Sequence, residues 1–187
     1  MDKYIILIVI NFLIINSLLA QQKVVVTKRD GSVINGYGRV KLNNKISFRN
    51  TEDGEKVIYD YKTVKNITFL EKETKRTFEY KLATDGGSSI GEIKLLQVII
   101  NDKVNLYLEL IMQPNSFGDK AKIYYISKKG EDTARRLGIG NTYSRKFKRV
   151  ANKYFQDCPD LLQKISNKYF KRYNVENVVK YYLKECD

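Results

Sequence analysis

The chain has 187 residues, with 34 basic and 21 acidic side chains, two cysteines and no histidine, for a formal net charge of +13. Without an imidazole, Ser-His-Asp and Cys-His catalysis, His-based zinc sites and histidine general bases are excluded. The positive balance points to a polyanion, although an AT-rich genome would write the same excess of Lys, Asn, Ile and Tyr.

The first twenty residues read as a secretory signal peptide. Lys3 precedes an apolar run over 4–19, broken only by Asn11, Asn16 and Ser17, and Ala20-Gln21-Gln22 then turns polar. A spanning helix needs roughly 20 mostly apolar residues, and this run is shorter and has no basic flank after it. Cleavage is therefore expected between Ala20 and Gln21. No cysteine stands at the cut to take a lipid. The expected product is one domain over 21–187, exported to the periplasm or beyond, with no membrane span.

From 23 to 129 short β-branched and aromatic runs alternate with turn residues. Strands are predicted at 23–28, 33–42, 45–49, 56–61, 64–70, 77–82, 92–100, 103–112 and 122–128. Asp30-Gly31 is a two-residue hairpin signal of type I′ chemistry, and Asn43-Asn44, Asp53-Gly54 and Asn101-Asp102 are further turns. In 103–110, Val104, Leu106, Leu108 and Leu110 share a core face, and Lys103, Asn105, Tyr107 and Glu109 share a face expected to be wet. The longest loops fall at 85–89 and 114–118. Gly36 and Gly38 mark a bulge or bend. With Gly138 and Gly140 they lack the third glycine of a dinucleotide loop.

After Gly130 the period changes to 3.6. Tyr143, Phe147, Val150, Ala151, Tyr154 and Phe155 form the stripe of a first helix that Thr142 could cap. Pro159 opens a second helix over 159–170 on Leu161, Leu162, Ile165 and Tyr169. Asn174 caps a third over 175–186, on Val175, Val178, Val179, Tyr182 and Cys186. Two helices of that length folded back at 171–174 bring Cys158 and Cys186 to one end, and an exported chain favours their oxidation. Closing that loop is worth about 3 to 4 kcal/mol. The fold class is thus α+β: an antiparallel β-meander of about eight or nine strands over 21–130, curled or partly closed, then a helical part over 131–187 stapled by a disulfide.

Charge is concentrated in one place. Residues 119–153 hold 11 basic and 3 acidic side chains. Arg135, Arg136, Arg145, Lys146, Lys148 and Arg149 are the candidate anion-binding residues, and export turns the expected partner from nucleic acid towards an anionic envelope component or another envelope protein. The plainer reading is a solvated helix face. No pattern for a catalytic, cofactor or metal site is present. A glycosidase-like envelope enzyme would need only two carboxylates, which Asp85, Glu92 and Glu109 could supply, but no spacing pairs them. Asn66-Ile67-Thr68 matches the glycosylation triplet inside a predicted strand and is discounted.

The run Tyr154-Phe155-Gln156-Asp157-Cys158-Pro159-Asp160-Leu161, with a basic linker and a final Cys186, resembles the tail of uncharacterised secreted proteins of Bacteroidetes-type bacteria. In these an Asp-Cys-Pro turn and a terminal cysteine frame a short helical hairpin. Asp30-Gly31-Ser32-Val33-Ile34-Asn35-Gly36 is similar to their opening β-hairpin. Where their tail has Tyr-Asn before the last cysteine, this chain has Tyr181-Tyr182-Leu183. The resemblance implies export and fold, and no activity.

Overall fold

A computed structural model describes residues 22–41, 43–71, 73–85, 90–112 and 120–186. The expected signal peptide and its cut at Ala20/Gln21, residues 86–89 of one expected loop and all of 114–118 lie outside the described residues. The chain divides into two compact units, Met1–Lys75 and Arg76–Asp187.

The first unit is an antiparallel sheet of β1 (Gln22–Lys28), β2 (Val33–Val40), β3 (Ile46–Arg49), β4 (Val57–Tyr59) and β5 (Val64–Leu70), in the order β5-β1-β2-β3-β4. Val24, Val26, Ile46, Phe48, Val64, Ile67 and Phe69 are its buried apolar residues. Val64 and Ile67 are both buried despite odd spacing, because the register with β1 slips by one residue at Thr27/Lys28. The β1–β2 loop differs from the expected type I′ turn. Gly31 N–H bonds to Lys28 O and Lys28 N–H to Ser32 O, and only Gly31 of the loop has positive φ, at +87°. That is a three-residue loop with a left-handed glycine, its start fixed by Asp30, whose carboxylate accepts from the Ser32 N–H and hydroxyl.

Of the bulge or bend expected at Gly36 and Gly38, the bulge does not occur. Pairing with β1 runs unbroken from Gln22↔Gly38 to Thr27↔Val33. The glycines are there for space. A Cβ on Gly36 would stand 2.2 Å from Arg49 O and 2.6 Å from the Phe48 ring.

The second unit is a closed five-stranded barrel with three helices. Its strands are β6 (Lys75–Asp85), β7 (Gly91–Ile100), β8 (Val104–Met112), β9 (Lys120–Lys128) and β10 (Thr133–Gly138). Each pairs antiparallel with the next in sequence, and β10 then pairs with β6 in parallel, Thr133↔Leu82 to Arg136↔Asp85. An up-and-down meander with an odd number of strands brings its first and last strands round in the same direction, so a parallel seam is the necessary form of closure. Two expectations are corrected here. The sheet is not wholly antiparallel, and residues expected to open the helical part form its closing strand.

Closure also overturns the wet face. Tyr107 is fully buried and Asn105 is 5% exposed, because their side of β8 faces the barrel interior with Leu96, Ile123, Tyr125, Ala83 and Ala134. The opposite face is core as expected at Val104 and Leu106, which pack with Tyr124, Ile126 and Leu137 against the helices and bury apolar side chains worth about 1.5 to 3 kcal/mol each, but not at Leu110, which is 48% exposed.

The helices are α1 (Arg145–Tyr154), α2 (Pro159–Ser166) and α3 (Val175–Glu185). Ser144, not Thr142, caps α1, accepting from the Phe147 N–H at 3.1 Å. Thr142 is buried instead, donating its hydroxyl towards Arg172 O at 3.1 Å. α2 stops at Ser166 rather than 170, where Lys168 takes a left-handed φ of +58°. Tyr169 consequently leaves the predicted stripe and stands 70% exposed. Asn174 caps α3 as expected, and Cys158 is bonded to Cys186 with Cα atoms 5.6 Å apart. No helix among the described residues is long and apolar enough to cross a membrane.

Candidate anion-binding surface

The six candidate residues fall in three places. On β10, successive side chains point to opposite faces. Arg136 lies on the interior face with Ala134, near Tyr125, whose phenol is pushed up by burial and by its hydrogen bond to Glu109 and held down in part by the Arg136 charge. Arg135 lies outside, lining a cleft of about 460 Å³ with Lys128, Glu131, Asp132, Lys153 and Tyr154. The Tyr154 phenol, 3.5 Å from the Glu131 carboxylate, is pushed up to about 12 by burial.

The other four are on α1. Its stripe of Phe147, Val150, Ala151 and Tyr154 is buried, which turns the intervening basic residues outward. Lys146 pairs with Asp85. Lys148 reaches Ser166 O at the end of α2, at 3.4 Å. Arg145 and Arg149 are exposed, with no ion-pair partner among the described residues.

The basic face does not end with α1. The segment 167–174, Asn-Lys-Tyr-Phe-Lys-Arg-Tyr-Asn, is drawn onto the start of that helix. Thr142 N–H donates to Arg172 O at 2.8 Å, and the Tyr143 ring lies under both the Lys168 ammonium, at 5.8 Å, and the Arg172 guanidinium, at 5.5 Å. Two cationic segments about twenty residues apart thus form one surface of Arg145, Lys148, Arg149, Lys168, Lys171 and Arg172. Sequence reasoning missed the last three. Basic residues interleaved with tyrosines in a short linker were the available signal.

The three acids considered for carboxylate chemistry are engaged inside or beside the barrel. Lys94 lies 2.6 Å from Glu109 and 3.7 Å from Glu92. Tyr125 donates to the other Glu109 oxygen at 2.6 Å, and Asp85 takes Lys146. Both oxygens of Glu109 are therefore spoken for, and its interior face is filled by side chains. Deeper in the barrel Lys81, 4% exposed, lies 3.2 Å from Glu79, donates to Glu131 O at 2.6 Å and sits 5.7 Å over the Tyr107 ring. Tyr107 in turn donates to Glu79 at 3.1 Å, and burial raises its phenol. Apart from the buried Arg136 Nε, which lacks a hydrogen-bond partner among the described residues, these interior polar groups are paired, as in networks that fix one packing arrangement. Among the described residues no cluster of acids and cysteines has metal-binding geometry.

The chain matches no protein-family model, no curated protein and no solved structure.

Proposed function

We propose that this is an exported, non-enzymatic binding protein that attaches to an anionic component of the cell envelope through the face shared by α1 and residues 167–174. The observation that carries it is the anchoring of the linker on Thr142 and Tyr143, which gathers cations from two segments. Like charges so gathered repel one another and are relieved by a polyanion. Export is supported by the composition of residues 1–20 and by the Cys158–Cys186 bond, since such bonds persist in oxidising compartments. The likeness of the tail to secreted Bacteroidetes-type proteins is in keeping with it.

The test is retention on immobilised heparin and on vesicles containing phosphatidylglycerol, measured against salt. Retention should fall steeply as screening shortens to about 8 Å near 0.15 M salt. The charge reversal Arg145→Glu/Arg149→Glu/Lys168→Glu/Arg172→Glu should abolish it on both supports. Retention that ignores both salt and the reversal would sink the proposal.

A further inference from the structure

Next to the basic face, and sharing Lys171 with it, the same linker and α3 line a second, open cleft of about 470 Å³. That is the size of a small-ligand site. Its walls are set by the chain path. Because α2 ends early, 169–173 runs across the top of α3, and Asn174, Asn177 and Tyr181 recur on one face of that helix at three- and four-residue spacing.

The aromatic wall is fixed in orientation. Phe170 is buried, and Tyr169 meets it edge-on at 5.3 Å while Tyr181 meets it edge-on at 5.9 Å. The Tyr181 hydroxyl is held by Asp160 at 2.5 Å, and Lys164 lies over both tyrosine rings, 5.3 and 5.7 Å from their centroids. Although it touches Phe170 and Lys164, Tyr169 is 70% exposed, so most of its ring surface remains open to a ligand. Amides and ammoniums complete the lining. Asn174 uses its carbonyl oxygen to cap α3, which leaves its amide N–H groups to donate outward. Lys171 and Lys180 are exposed and have no ion-pair partner among the described residues.

We infer that this cleft binds a sugar unit of an acidic polysaccharide, stacking the ring on Tyr169, donating amide hydrogen bonds from Asn174 and Asn177 to hydroxyls, and pairing Lys171 and Lys180 with the carboxylate. Sugar rings carry an apolar face of C–H groups above a rim of hydroxyls, and a phenol beside two amides matches both. A lipid surface fits less well, since it would require apolar groups standing proud of the cations, whereas the one wholly apolar ring, Phe170, is buried. The inference rests on the preceding proposal in taking an anionic envelope component as the ligand, and it names its chemistry.

Titration of the whole protein with a short oligogalacturonate, followed by calorimetry, should give saturable binding that a neutral maltooligosaccharide of equal length does not. Tyr169→Ala should weaken it about tenfold with an unchanged melting temperature, and Tyr169→Phe should restore it. Lys171→Gln/Lys180→Gln should remove the preference for the acidic over the neutral sugar. Equal binding by the Tyr169→Ala protein, or equal binding of the two sugars, would overturn the inference. So would absence of oligogalacturonate binding in a protein whose heparin retention still falls with salt, and that result would leave the broader proposal standing. Tyr169-dependent sugar binding in a protein whose heparin retention ignores the charge reversal would support the cleft and remove the basic face.

Discussion

Gly36 and Gly31 show two different reasons for the same residue. At Gly36 the backbone is ordinary and space is missing, so Gly36→Ala must push Phe48 and the β3 backbone away. We expect a loss of about 1 to 3 kcal/mol, read from the urea midpoint. At Gly31 a Cβ would meet nothing within 4 Å, but φ is +87°, so Gly31→Ala should cost about 1 to 2 kcal/mol through the backbone alone, and Gly31→Asn less. Neighbouring distinctions of this kind are only partly legible in the sequence. Gly31 is announced by the Asp-Gly pair, whereas the contact at Gly36 depends on Phe48, a residue of another strand. Asn105, Tyr107 and Glu109 were misplaced for a related reason. A polar face on a strand reads as solvent-facing, and only closure of the sheet reveals that it lines an interior where Glu79 and Ser127 meet Tyr107 and Lys94 meets Glu109.

Among the elements, the helical hairpin was the most legible. Its caps, its proline and the spacing of its cysteines are local signals, and they placed the disulfide correctly. Cys158→Ala/Cys186→Ala should lower stability by about 3 to 4 kcal/mol, the loop-entropy value for a separation of 28 residues, as measured by thermal unfolding with and without reductant. Lys103, whose ammonium donates to Cys186 O and lies 4.9 Å over the Tyr182 ring, ties the same end of the hairpin to the barrel. Ser144→Ala should cost about 1 kcal/mol by uncapping α1. β10 was the least legible element. Thr-Ala-Arg-Arg-Leu-Gly offers a single large apolar residue and two arginines, and its strand character comes from partners on β6 and β9 that no local pattern contains. The basic surface was half legible for the same reason: the α1 cations share a helix, whereas Lys168 and Arg172 join them only through the fold of the linker onto Tyr143.

Across the whole molecule, the phenols set an alkaline limit. Burial and the hydrogen bond to Asp157 push Tyr182 up to about 12, Tyr154 is pushed to the same value, and Tyr107 and Tyr125 are raised as well, against an ordinary value of 10.0. A folded state that raises a pKa holds its proton more tightly than the unfolded chain. The resulting stability is complete below pH 10 and is lost as pH climbs towards 12. Urea midpoints should therefore be level up to about pH 10 and fall steadily above it, and Tyr154→Phe should flatten part of that fall.

The parallel seam between β6 and β10 also dictates an order of assembly. Lys81 meets the carbonyl of Glu131 across 50 residues, so the ring is incomplete until nearly all of the barrel's chain is present. Local hairpins can form early, but closure bears the entropy of a long loop and comes late. The cysteines at 158 and 186 come later still in the chain. If the chain is exported as proposed, it would cross with Lys81 still unpartnered and its thiols apart, and would acquire both ring and staple on the far side.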